Sequence, residues 1–183
     1  AVEAARGAVS SWGSSSAHLR AQILYFLAEN LAASKERFVR NVKLETGCTW
    51  VQAICEVEES IARLFYWAGW ADKFGGEVKP VVGRFHVTTN YEPVGVVGVR
   101  APDDSPLLGF VSTVAPLLAM GNAVVAVAGK KAFTALDLVQ LVQCSDVPSG
   151  ALNVLSASDP DSLAAVLAKH MDVDGLWYFG SAE

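Results

Sequence analysis

Residues 92–128 read EPVGVVGVRAPDDSPLLGFVSTVAPLLAMGNAVVAVA, and the succession of textures inside this stretch decides the fold. Val94-Gly-Val-Val-Gly-Val99 is a short, continuously apolar, β-branched run opened by Pro93, the pattern of a strand covered on both faces. Ala123 to Ala128 repeats it. Between the two, Leu107, Phe110, Val111, Val114 and Leu118 recur at helical spacing among other apolar residues, which predicts a helix buried nearly all round. Gly121-Asn122 suits a left-handed C-cap. Strand, helix and strand make a βαβ unit. Its first loop, Arg100-Ala-Pro-Asp-Asp-Ser-Pro106, runs from the carboxyl end of a strand to the amino end of a helix, where open α/β sheets place their ligands.

Downstream the pattern continues in kind. Thr134 to Gln143 carries Leu136, Val139 and Val142 on one helical face, Pro148-Ser-Gly150 is a turn, and Leu152 to Leu155 predicts a third buried strand. Ser158 or Asp159 can cap a helix with Pro160 in its first turn, running through Leu163, Val166 and Leu167 to His170. Leu176 to Phe179 predicts a fourth strand, and Gly180-Ser181 a turn onto another helix. Evenly spaced strands with a helix in each gap, joined by right-handed crossovers, give an α/β fold with a Rossmann-like parallel sheet and flanking helices.

Upstream of residue 92 the texture is helical. Ala1 to Val9 reads as part of a helix, and Ser14-Ser15-Ser16 is a polar joint able to cap the next one. Leu19, Ile23, Leu27 and Leu31 give an amphipathic helix ending near Ala33. Ser34 restarts a helix carrying Phe38, Val42 and Leu44, which Gly47 closes. From Trp50, residues Ile54, Val57, Ile61, Leu64, Phe65 and Ala68 define one apolar face. Tyr66, Trp67 and Trp70 crowd the end of that helix, either as a ligand platform or as packing against a sheet edge or another subunit. Arg84 to Glu92 alternates weakly and is polar enough for an exposed strand.

Composition narrows the function classes. Hydrophobic residues make up 52% of the 183 and charged ones 18%, so the chain is core-rich rather than disordered, and some of its surface is expected to meet another domain or subunit. A net charge of −5, with no basic cluster beyond Lys130-Lys131, argues against a nucleic-acid partner. Leu107 to Gly129 is uncharged and long enough for a membrane span. Pro116 and Gly121-Asn122 interrupt it, however, and its second part is β-branched, so no membrane association is expected. No basic segment followed by an apolar core opens the chain, so no secretory signal is visible. Cys48, Cys55 and Cys144 are odd in number and lack metal-ligand spacing. The expectation is no metal and a reducing, cytoplasmic setting.

The run EPVGVVG, the Pro-x-x-x-Pro loop, the apolar helix, APLLAMGNAVV, PSGALNVL and FGSAE together resemble the aldehyde dehydrogenase superfamily in order and spacing. The resemblance extends over nearly the whole chain and implies a partial aldehyde dehydrogenase fold: residues 1–92 as amino-terminal helices and an oligomerisation-type strand, 93–183 as a partial dinucleotide-binding βα domain, one compact unit overall. It implies oxidation of aldehydes to acids with NAD or NADP. In the family a cysteine thiolate attacks the aldehyde, hydride passes to the nicotinamide, and a glutamate-activated water releases the acid. Both that cysteine and that glutamate belong beyond residue 183, so the segment alone is not expected to run the reaction, and a homodimer or the remainder of a longer dehydrogenase chain is the implied partner.

Carried over residue by residue, the resemblance makes Ala101, Pro102 and Asp103 candidate cofactor contacts and puts Asp104 where the family has the asparagine that donates to the oxyanion. An ionised carboxylate only accepts, and it repels a negative tetrahedral intermediate. Val127 falls at the family's ribose-binding lysine and cannot hydrogen-bond a hydroxyl. Lys130 or Lys131 is either a substitute or a solvated surface pair. Ala157 and Asp159 fall where the family has glycines near the cofactor, and Gly180-Ser181 matches its pyrophosphate-facing turn. The leading expectation is a catalytically degenerate, structural or dimerising half, similar to the second, non-catalytic modules that some family members carry. The alternatives are the cofactor-binding half of an active dehydrogenase and a protein-interaction module using the strand at Arg84 to Glu92.

Overall fold

The computed structural model describes residues 1–180. Four helices come first, α1 (Val2–Ser14), α2 (Ala17–Ala33), α3 (Lys35–Thr46) and α4 (Trp50–Trp70), followed by a small antiparallel ribbon of β1 (Glu77–Lys79) and β2 (Val87–Thr89). The remainder alternates: β3 (Val96–Arg100), α5 (Leu108–Ala119), β4 (Ala123–Val127), α6 (Phe133–Gln143), β5 (Leu152–Leu155), α7 (Pro160–Ala168) and β6 (Gly175–Tyr178). The last four strands form one parallel sheet in the order β5-β4-β3-β6. This is the Rossmann-like arrangement that the strand and helix spacing predicts.

Local chemistry sets the element boundaries. Ser16 Oγ accepts from the Leu19 N–H at 3.1 Å and starts α2. Thr49 and Gln52 form a capping box at α4, satisfying two orphan donors reciprocally. Gly47, at φ 72°, ends α3 in the left-handed conformation, where a side chain would be strained. At the end of α5 the Gly121 N–H donates to the Leu118 carbonyl and the Asn122 N–H to the Leu117 carbonyl, both at 3.0 Å, the paired bonds of a Schellman cap. Asn122 then begins the next task. Its Oδ1 accepts from the Val94 and Gly95 N–H groups at 2.7 and 3.2 Å, while its Nδ2 donates to the Leu117 carbonyl. One buried amide thus ties the end of the helix to the entry of the first sheet strand.

Strands β3 and β4 are buried at every position, and their side chains alternate between two apolar clusters. Val97, Val99, Val124 and Ala126 face the larger cluster with α2, α4, α5 and α6. Val96, Val125 and Val127 face a smaller one with Ala5 of α1 and Leu167 of α7. Each fully buried valine contributes about 1.5–3 kcal/mol relative to exposure, so this central pair holds the sheet.

Several expectations need correction. The first strand starts at Val96 rather than Val94, which is exposed, because Gly95 takes φ 128° and turns the chain inward only there. β5 is half-buried along its length rather than buried, since it forms one edge of the described sheet. Leu44 is 82% exposed: α3 buries Phe38, Val39 and Val42, and two further residues rotate about 200° around the helix. Leu19, Ile54 and Phe65 also lie outward, and α4 buries Ala53 and Ser60 alongside the expected Val57, Leu64 and Ala68. Strand geometry within Arg84 to Glu92 is confined to the exposed β2.

Candidate functional site

From β3 the chain winds through β4 to β5 in one direction and returns by α7 to place β6 on the other side of β3. The switch point therefore lies between β3 and β6, and the crevice outside their carboxyl ends is where such sheets bind ligands. Arg100 is the last residue of β3 and pairs in register with Tyr178 of β6. Its side chain is fully buried, and a buried guanidinium requires partners. Arg100 Nε donates to Asp161 Oδ1 at 2.8 Å, Nη1 and Nη2 meet the Asp103 carboxylate at 3.0 and 3.2 Å, and Nη1 also donates to the Ala101 carbonyl. Tyr178 Oη donates to the same Asp161 oxygen at 3.0 Å.

The protonation states follow from that geometry. Burial lowers the Arg100 pKa, but hydrogen bonds to Asp103 and Asp161 more than offset it, leaving the group raised and permanently cationic. Asp103 lies below the ordinary carboxyl value, first because of the Arg100 hydrogen bond and then because the Lys130 N–H donates to it at 2.9 Å. Asp161 is lowered by Arg100 and by Tyr178, and the Tyr178 phenol is raised in return. Both carboxylates are ionised at neutral pH.

The helices that follow sheet strands begin against carboxylates of the chain itself. The Leu107 and Leu108 N–H groups, at the start of α5, donate to Glu56 Oε1 of α4 at 3.0 and 3.3 Å. Phe133 N–H, Thr134 N–H and Thr134 Oγ1–H, at the start of α6, donate to Glu45 at 2.7, 3.0 and 2.6 Å. Asp159 caps α7 by accepting from the Asp161 and Ser162 N–H groups. The electropositive ends that could receive an anion are therefore internally engaged at all three.

Ala101 is buried, and its N–H donates to the Val127 carbonyl at 2.9 Å. The Val127 side chain is itself fully buried in the smaller apolar cluster, so only its backbone reaches the loop. Pro102 is half-buried and packs where glycines leave room: a Cβ on Gly109 would lie 2.5 Å from its Cγ, and one on Gly129 2.6 Å from its carbonyl. Asp104 is exposed on the same loop. Gly180 adjoins Tyr178 and Asp161, and Ser181 lies outside the described residues. Lys130 Nζ, largely exposed, stands 3.9 Å from Asp103.

Ala101, Pro102, Asp103 and Gly180 thus gather at one end of the sheet, with the Val127 carbonyl. The sequence reading missed Arg100, Asp161 and Tyr178 as a unit, and Glu45 and Glu56 as caps. A lone charge closing an apolar strand was the available signal for Arg100. Cys48, Cys55 and Cys144 are free, and among the described residues no His, Cys, Asp and Glu cluster could hold a metal and no helix is long and apolar enough to cross a membrane.

The model of the aldehyde dehydrogenase family matches residues 1–183. Aldehyde dehydrogenase family 2 member B4, mitochondrial, of Arabidopsis thaliana is 37% identical over 187 residues, covering 100% of this chain and 35% of that protein. The mitochondrial aldehyde dehydrogenase of Rattus norvegicus is 35% identical over 188 residues, covering 100% and 36%. Among solved structures, the NAD+ complex of the Bacillus cereus aldehyde dehydrogenase superposes with a TM-score of 0.91 at 27% identity, covering 97% of this chain and 37% of that one. The NAD-dependent aldehyde dehydrogenase of Sinorhizobium meliloti gives 0.92 at 27%, covering 97% and 36%. The chain spans little more than a third of the length of these relatives.

Proposed function

Since the chain belongs to the aldehyde dehydrogenase family, and corresponds to the amino-terminal part of its larger module, we propose that it is the dinucleotide-domain part of a degenerate dehydrogenase, kept as a structural or dimerising half. The observation that carries this reading is the loop ahead of α5. An alkoxide forming there would need hydrogen-bond donors. Instead, the Leu107 and Leu108 N–H groups already donate to Glu56, and the exposed residue in front is the acidic Asp104. Losing one oxyanion donor costs about 3 kcal/mol in the transition state, roughly a hundredfold or more in rate, and a like charge adds repulsion. The three free cysteines support a reducing, cytoplasmic setting.

A second reading is favoured by solved relatives, the Bacillus cereus enzyme in complex with NAD+ and PnpE in complex with nicotinamide adenine dinucleotide. In it, this part still supplies the cradle for NAD or NADP of an active aldehyde oxidoreductase, with Asp103, Pro102 and Gly180 lining it. The test is titration of the full-length protein with NAD and NADP, followed by assay with acetaldehyde. Absence of turnover is expected. Acetaldehyde oxidation at ordinary enzymatic rates with Asp104 in place would overturn the degenerate reading.

A further inference from the structure

A buried arginine at the switch point of a parallel sheet is positioned to receive an anion. In this chain the anions are its own. Arg100 is fully buried and bonded on one side to Asp161 and on the other to Asp103, and Tyr178 Oη donates to the same Asp161 oxygen. A Cβ placed on Gly180 would stand 2.6 Å from Asp161 Oδ1 and 2.5 Å from Tyr178 Oη. The carboxylate therefore sits directly against the residue at which β6 gives way to its turn.

We propose that Asp161 is an internal substitute for the pyrophosphate of a dinucleotide: held by Arg100 and Tyr178, its carboxylate takes up the Arg100 guanidinium at the switch point and repels the phosphates of NAD or NADP. The inference rests on the degenerate reading above and supplies a physical cause for it. Position argues for exclusion rather than simple stapling. Asp161 is the second residue of α7, and Asp159, two residues earlier, already caps that helix. The Asp161 carboxylate is thus free of helix duty and turned towards β3 and β6. A pyrophosphate arriving there would meet two ionised carboxylates and, among the described residues, no uncommitted cation at the switch point, since Lys130, the nearby lysine, is largely exposed and leans on Asp103.

Isothermal titration of the full-length protein with inorganic pyrophosphate and with NAD tests this. The unsubstituted protein is expected to give no saturable heat with either. Asp161→Asn, which keeps the shape and removes the charge, is expected to bind pyrophosphate at least tenfold more tightly. Arg100→Met combined with Asp161→Leu, which removes the receptor as well, is expected to stay blind. A folded Asp161→Asn protein that remains blind would reduce Asp161 to a structural staple and overturn the proposal. Should that variant fail to fold, the Arg100 Nε–H resonance of the unsubstituted protein reads the same point: unmoved by NAD if the crevice is plugged, shifted if it is not. Dinucleotide binding without aldehyde turnover would defeat the plug and leave the loss of catalysis standing. Blindness to pyrophosphate in every variant, with no turnover, would defeat the plug alone.

Discussion

Arg100 and Asn122 are the two residues on which the sheet end and the sheet entry depend, and both work through buried polar bonds rather than size. Asn122→Ala strands the Val94 and Gly95 N–H groups at the head of β3 and removes one of the two donors to the Leu117 carbonyl, the Asn122 backbone N–H remaining. Leaving such groups unpaired costs about 1–3 kcal/mol each when buried, and water reaching the exposed Val94 offsets part of it. The urea midpoint is expected to drop by the equivalent of about 2 kcal/mol. Arg100 makes a pH prediction. Asp103 and Asp161 have folded pKa values below the ordinary 3.8, first through the Arg100 hydrogen bonds. A depressed carboxyl contributes stability that is complete above its unfolded value and disappears as the pH falls through the folded one. Urea midpoints measured downward from about pH 5 should therefore decline, and Asp161→Asn should flatten that decline. At this scale the sequence was legible only in part. Gly121-Asn122 announced a helix end because the left-handed cap is a local demand, whereas the bonds of Asn122 to β3 span 27 and 28 residues and have no local signature.

The same division holds for whole elements. β3, α5 and β4 are readable because their burial is nearly complete, so nearly every position is apolar and the pattern has no polar face to confuse it. α3 and α4 are harder, because half of each faces outward and bulky residues such as Leu44 and Ile54 remain on that side. The carboxylates that cap the amino ends of α5 and α6 could not be read: Glu56 lies 51 residues from Leu107, and Glu45 lies 88 from Phe133. Glu45→Ala tests this long-range capping. It removes the acceptor for Phe133 N–H, Thr134 N–H and the fully buried Thr134 hydroxyl, and should destabilise by about 1–2 kcal/mol in chemical denaturation. Glu45→Gln, which can still accept, should lose less than half of that.

For the molecule as a whole, surface and topology carry the function. The β1–β2 ribbon stands exposed, with Val78, Val82, Phe85 and Tyr91 all open to solvent, the type of edge that pairs with another chain. Val87→Pro places a residue without an N–H at the start of β2, opposite Lys79. If this ribbon joins subunits, sedimentation of that variant should show a smaller assembly, and an unchanged assembly state would count against the dimerising role. Near the base of the ribbon a cleft of about 500 Å³ is lined by Trp67, Phe74, Tyr91, Met120 and Trp177. Trp70, Phe74 and Tyr91 continue from it in ring contacts of 5.6 and 5.9 Å, so the aromatic cluster at the end of α4 packs across to the ribbon and the sheet edge.

By itself the sequence determined the elements and the parallel sheet, because burial on both faces and glycine-enforced turns are properties of neighbours along the chain. It also placed the loop from Arg100 to Pro106 between the carboxyl end of β3 and the amino end of α5. Only the tertiary structure decided what occupies that end of the sheet. Return through α7 brings Asp161 beside Arg100, 61 residues earlier, and brings α1 onto the same face as α7. The reason is physical: a buried charge must find its counterion in space, and chain separation places no limit on where that counterion lies in the sequence.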